Sequence, residues 1–134
     1  MTTATMSAPP RADDEYKLQC RIAQHVRRYI LPGVWWTAVP MGERRTPNAG
    51  LRVKNMGGRK GAPDLIFLSR SVFLAIELKK DIYEVPSPDQ IDCRTEIVIA
   101  GGFHRVLSKF EDAVRALEEF HITKPSPAWS GGVL

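Results

Sequence analysis

The stretch GAPDLIFLSRSVFLAIELKK, Gly61 to Lys80, decides the fold. Two short apolar runs, Asp64 to Leu68 and Val72 to Lys79, are separated only by Ser-Arg-Ser, which reads as two strands of an antiparallel hairpin. An aspartate stands at the head of the first run, and Glu77 and Lys79 interrupt the end of the second, where a core strand would carry only apolar side chains. Side chains alternate along a strand, so Glu77 and Lys79 share one face while Ile76 and Leu78 point to the other. A two-residue turn at Arg70-Ser71 pairs Ser69 with Val72 and, counting back, Asp64 with Glu77. A register shifted by two residues keeps all three ionisable groups on one face; a shift of one sends Asp64 to the wrong side.

Two opposed carboxylates repel unless positive charge lies between them. A hard divalent cation meets that need: Mg²⁺ takes one or two protein carboxylates and completes its octahedron with water, phosphate oxygen or a backbone carbonyl. Asp64, Glu77 and the carbonyl of Leu78 form such a donor set. Lys79 would orient an attacking water or stabilise charge developing on a phosphorus centre. Taken alone, Glu-x-Lys is most often an exposed strand end, and Asp64 an acid in the turn after Pro63. The chemical reading gains weight from the two strands being adjacent and from the segment before them.

That segment, ERRTPNAGLRVKNMGGRK from Glu43 to Lys60, holds six basic residues against one acid, whereas the chain overall has 19 basic and 15 acidic residues and a net charge of +4. The remainder therefore carries 13 against 14, and the whole excess sits in one strip. Arg44, Arg45, Arg52, Lys54, Arg59 and Lys60 are candidate phosphate contacts, the sequence-independent part of nucleic-acid affinity. The plain alternative is a solvated basic loop.

Elsewhere the periodicities are clear. From Asp13 to Leu31, Leu18, Ile22, Val26 and Ile30 recur every four residues with polar residues between, an amphipathic helix ended by Pro32-Gly33. VWWTAV, Val34 to Val39, reads as a strand in which Trp35 and Trp36 face opposite ways. Thr46-Pro47 and Gly57-Gly58 bracket a short basic helix. Ser87-Pro88-Asp89-Gln90 has the pattern of a capping box and opens a helix running to Gly101-Gly102, FHRVLS is a further strand, and Ser108-Lys109-Phe110-Glu111 is a second capping box. The helix it opens would place Phe110, Ala113, Val114, Leu117 and Phe120 on one face. The element order α-β-α-β-β-α-β-α implies an α/β fold with a mixed central sheet flanked by helices. At 134 residues the chain suits one domain over 13–122, with polar tails at 1–12 and 123–134. Trp129 is the one aromatic in those tails.

Composition is ordinary, with 43% hydrophobic and 25% charged residues, so function must come from placement. Cys20 and Cys93 lack zinc or redox spacing and are expected as free thiols. His25, His104 and His121 are not spaced as metal ligands, and Gly57, Gly58 and Gly61 read as turn residues more readily than as a phosphate cradle. Neither a signal peptide nor a run of about 18 apolar residues is present, so a soluble cytoplasmic protein with no membrane association is expected.

The pattern APDLIFL…FLAIELKK resembles the PD-(D/E)xK nuclease motif. With the acid-bearing first helix, the glycine-punctuated run into Asp64, SPDQ and AGGFHRVLS, it is similar to the VRR-NUC branch of that superfamily over roughly Asp13 to Phe120. The resemblance implies a restriction-endonuclease-like core and a homodimeric, Mg²⁺- or Mn²⁺-dependent endonuclease acting on branched or duplex DNA, including four-way (Holliday) junctions. By the same resemblance Asp64, Glu77 and Lys79 form the catalytic trio. Gln90 matches the glutamine that accompanies it, although the capping box explains Gln90 equally well. An acid of the first helix completes the family's site, and Glu15 is the nearest match by position, with Asp14 and Gln19 close by. Two other readings stay open: a non-catalytic DNA-binding module, and a nuclease of flaps, nicks or ends.

Overall fold

The computed structural model describes residues 10–40, 47–81 and 83–126. Eight elements follow in the expected order: α1 (Pro10–Tyr29), β1 (Val34–Ala38), α2 (Pro47–Asn55), β2 (Leu65–Ser69), β3 (Val72–Leu78), α3 (Pro88–Ile99), β4 (Phe103–Leu107) and α4 (Phe110–Glu119). Helix α1 begins three residues before the expected Asp13, with proline in its first turn, where the missing N–H breaks no helical hydrogen bond. The four strands form one mixed sheet in the order β1-β2-β3-β4, and β4 reaches its place beside β3 after α3. Residues 10–32, 78–84 and 106–126 fall into one compact unit and residues 33–77 and 85–105 into a second.

The second unit is built on the hairpin. β1 and β2 pair antiparallel, with Trp36 opposite Phe67 and Trp35 opposite Leu68. Trp36 stacks on Phe67 with ring centroids 5.8 Å apart, and Trp35 stands 59% exposed, so the adjacent tryptophans do face opposite ways. β2 and β3 pair antiparallel through Leu65↔Ile76 to Ser69↔Val72, the register inferred from the two-residue turn. Arg70 makes that turn in the left-handed region at φ +48°, a conformation costing about 1 kcal/mol outside glycine. Leu65, Phe67, Leu74, Ala75 and Ile76 are fully buried, and Cys93 brings α3 into the same core. Burying each such side chain contributes roughly 1.5–3 kcal/mol, which makes a one-residue slip of the hairpin prohibitive.

The first unit pairs α1 with α4. Ile22 and Val26 on α1 and Ala113, Val114, Ala116 and Leu117 on α4 are buried, as the four-residue spacing predicts. Ile30 forms an antiparallel bridge with Thr123, and the Lys124 N–H donates to the Tyr29 carbonyl at 2.9 Å. Residues 123–126, expected as the start of a tail, therefore belong to this packed unit, and Thr123 and Ser126 are buried. The second capping box is also corrected: the N-cap of α4 is Lys109, extended at φ −129° and ψ 143°, and makes no side-chain cap. An ammonium group has no acceptor to offer the helix N–H groups. Trp129 and the Thr46 cap lie outside the described residues.

Candidate active site

Backbone hydrogen bonds on both edges continue to the residue just before β2. The Asp64 N–H donates to the Ile76 carbonyl, and the Asp64 carbonyl accepts from the Val39 N–H, both at 2.9 Å. Asp64 is thus fixed by its backbone on both sides although it precedes the strand. The paired register ends at Leu65↔Ile76, and the Asp64 N–H meets the carbonyl of Ile76 rather than that of Glu77, so the ladder becomes irregular at Asp64. Asp64 is half-buried and Glu77 is 6% exposed. Lys79, the first residue after β3, is also buried, and its N–H donates to the Leu107 carbonyl at 2.9 Å.

A buried carboxylate keeps its charge only where donors or cations surround it. Gln90 supplies a donor, its Nε2 giving a 2.8 Å hydrogen bond to Glu77 Oε2. The same side chain closes the cap of α3: Gln90 Oε1 accepts from the Ser87 N–H at 2.9 Å, and Ser87 Oγ accepts from the Gln90 N–H at 3.2 Å. One amide therefore both caps α3 and contacts Glu77. The amide is oriented without ambiguity, because its oxygen meets an N–H and its nitrogen meets a carboxylate. Through it the start of α3 is tied directly to the carboxylate at the end of β3.

A residue that sequence reasoning read as a turn glycine turns out to set this geometry. Gly61 has φ +82°, and a Cβ there would lie 2.4 Å from the carbonyl carbon and oxygen of Asp89 and 2.6 Å from the Gln90 nitrogen. No side chain fits, so the loop entering Asp64 lies directly against the first turn of α3. The only sequence signal was a lone glycine three residues before the aspartate, and it did not say what the glycine touches.

The donor set suits a hard divalent cation of the magnesium kind. It consists of the carboxylates of Asp64, just before β2, and Glu77, near the end of β3, with the Leu78 carbonyl next along the chain from Glu77. Among the described residues no group of three His, Cys, Asp or Glu is placed to hold a metal ion. Glu15 lies on α1, partly buried, with Asp14 exposed beside it.

The basic strip divides into parts. Arg52 and Lys54 are exposed in the last turn of α2, where cations also favour the helix dipole, and Lys60 is exposed. Arg59 is engaged: its two terminal nitrogens bind the Glu96 carboxylate at 2.6 and 3.2 Å. That pairing raises the Arg59 pKa and lowers that of Glu96. Arg44 and Arg45 lie outside the described residues. Cys20 and Cys93 are free thiols, and burial pushes the Cys93 thiol up against an opposing pull from Arg59. His104 is half-buried, with its pKa lowered by burial and by Arg94 and Arg105, while His121 is exposed. No helix among the described residues is long and apolar enough to cross a membrane.

An α/β fold with a carboxylate-bearing hairpin capped by a glutamine from the next helix defines the class. The chain has the fold of VRR-NUC domains. One similar solved structure is a "VRR_NUC domain protein", 22% identical, covering 81% of this chain and 87% of that one with a TM-score of 0.62. Another, a "VRR_NUC domain", is also 22% identical and covers 80% and 97%, with a TM-score of 0.56. No family model and no curated protein matches the sequence.

Proposed function

We propose that this protein is a divalent-metal-dependent endonuclease that hydrolyses phosphodiester bonds in DNA, with Asp64, Glu77 and the Leu78 carbonyl as ligands of Mg²⁺ or Mn²⁺. The observation that supports the reading is the Gln90 hydrogen bond to the buried Glu77, on the strand that pairs antiparallel with the one Asp64 precedes. When bound, such an ion polarises the phosphodiester and lowers the pKa of a water. Glu77 and Asp64 would hold it, and Gln90 orients Glu77 through Oε2. Lys79 supplies positive charge to the phosphoryl oxygens as they gain charge. Arg52, Lys54 and Lys60, with Arg44 and Arg45, grip the DNA backbone without reading sequence; Arg59 can join them only by giving up Glu96.

The finer reading is a structure-selective enzyme, a four-way junction resolvase acting as a homodimer, since a substrate of near-twofold symmetry suits two symmetric sites. Glu15 is the proposed additional metal ligand. The deciding experiment incubates the wild type and Glu77→Gln with matched four-way, flap, single-stranded and linear duplex DNA, in Mg²⁺, Mn²⁺ or EDTA. Metal-dependent cutting by the wild type alone, strongest on the junction and accompanied by a dimeric mass in solution, is expected. Preference for flaps or nicks points to a repair-type nuclease, and equal cutting of all substrates removes junction selectivity. DNA binding with no cutting under any condition makes the protein a binding module.

A further inference from the structure

The helical unit holds an open cavity of about 400 Å³ that uses none of the residues assigned above to catalysis or DNA binding. Its volume lies within the roughly 300–1,000 Å³ of small-ligand sites. Arg21, Gln24, His25, Arg28 and Tyr29 line it from α1 and Phe110 from α4.

Arg21 and Arg28 stand seven residues apart, two helical turns along one face. The Arg21 guanidinium sits 3.9 Å from the centroid of the Phe110 ring and that of Arg28 5.5 Å from Tyr29. Both arginines are exposed, and neither forms an ion pair among the described residues. Glu111 also lines the cavity, so two guanidiniums face one carboxylate. His25 is 9% exposed, and its Nε2 is buried with no hydrogen-bond partner among the described residues. Its ring is held against Tyr29 at 4.7 Å and edge-on to Phe110 at 5.6 Å. Burial lowers its pKa against the opposing charge of Glu118, so the neutral ring offers one donor and one acceptor.

These features select a ligand chemistry. Paired guanidiniums suit a phosphate, which arginine binds through two parallel N–H bonds. A guanidinium already stacked on an aromatic ring presents its other face to a second planar group, the mode by which proteins hold unpaired bases.

We propose that the α1–α4 cavity binds a nucleoside monophosphate, its phosphate on Arg21 and Arg28 and its base against the arginine–aromatic wall. The same chemistry is presented by a free nucleotide and by an unpaired nucleotide within a strand. The proposal does not depend on the nuclease reading.

Calorimetric titration in EDTA tests it with deoxyadenosine monophosphate, deoxyadenosine, inorganic phosphate and a five-residue oligodeoxyadenylate. Saturable binding of the monophosphate is expected, at least tenfold tighter than that of the nucleoside or of phosphate. Arg21→Gln and Arg28→Gln should each weaken it at least tenfold with unchanged circular dichroism, while Glu77→Gln leaves it intact. An oligonucleotide that binds more tightly, with the same arginine dependence, identifies a strand as the source; one that binds no more tightly identifies the free nucleotide. Three results overturn the proposal: no saturation by about 10 mM nucleotide, affinity indifferent to both arginine substitutions, or phosphate binding as well as the nucleotide, which leaves an adventitious ion only. Loss of binding in Glu77→Gln would move the ligand to the metal site and equally reject the cavity.

Discussion

Helices α3 and α4 are announced by the same four-residue signature, serine at the first position and glutamine or glutamate at the fourth, yet they begin in different ways. At α3 the signature forms: Ser87 is extended at φ −71° and ψ 160°, and the reciprocal hydrogen bonds with Gln90 are both made. Pro88, with no N–H and a fixed φ, can open the helix only at its first position, which leaves Ser87 as the cap. At α4 no proline fixes the start, and the cap falls on Lys109. Phe110, its first helical residue, packs edge-on to His25 and beneath Arg21. One helix start is held by hydrogen bonds that continue into the candidate site, the other by aromatic packing on α1. A capping signature therefore marks where a helix may begin, and tertiary contact decides whether its side chains are used.

The sharpest way to break the contrast is to remove the carboxylate on which the α3 cap converges. Glu77→Gln keeps the shape and a hydrogen-bonding partner for Gln90 but loses the charge. Metal-dependent cleavage should fall by roughly 10³-fold or more, the equivalent of several kcal/mol of charge stabilisation, as measured by gel assay. Retained cleavage would remove Glu77 from the chemistry.

Next in size is Gly61→Ala, which drives a Cβ into the backbone of Asp89 and Gln90 at a positive φ. A loss of roughly 2–4 kcal/mol is expected in urea denaturation, combining overpacking with left-handed strain. No comparable loss should follow at Gly57, where φ is +100° but nothing lies within 4 Å of the added carbon, leaving backbone strain alone.

The two serines then sharpen the comparison directly. Ser87→Ala should cost about 1 kcal/mol and Ser108→Ala less than about 0.5 kcal/mol, since only the first is a working cap. Gln90→Ala removes both the cap and the Glu77 hydrogen bond, and should lower activity by about 10–100-fold, as loss of a group orienting a metal ligand does. Equal effects of Ser87→Ala and Gln90→Ala on cleavage would mean that the glutamine acts only through the helix.

The smallest effect concerns the aromatic start of α4. His25 has a pKa lowered by burial, so the unfolded chain takes up a proton first as pH falls. Its contribution is therefore absent above the ordinary histidine value near 6.5 and becomes destabilising below it, levelling off beneath the folded-state pKa. Thermal melts from pH 7.5 to 5 should show this loss, and His25→Phe should flatten part of it; His104, lowered in the same direction, supplies the rest. A His25→Phe profile as steep as the wild type's would exclude His25 as a source.

Much of the hairpin was legible because a two-residue turn leaves it few free variables. Once Ser69 faces Val72, the period of two fixes the pairing as far as Leu65↔Ile76. Gln90 was legible only as a choice between cap and site, because a sequence cannot show that one amide reaches in both directions. Arg59 was grouped with the other cations of its strip, and nothing local in the sequence points to Glu96, 37 residues away. Gly61 does sit in the turn expected of it, but its steric constraint comes from the backbone of α3, which no local pattern shows.

What the chain determines by itself is therefore what rests on local periodicity and stereochemistry: the order of the elements, the register of the hairpin, and a helix opened by proline after serine. Tertiary structure decided which cap was used, what a glycine touches, which arginine is spent on a carboxylate, and that α1 and α4 enclose a cavity with two arginines on its wall. Those outcomes depend on distances between residues far apart in sequence. Such distances follow from how the apolar faces of helices and sheet pack, and no short-range pattern encodes them.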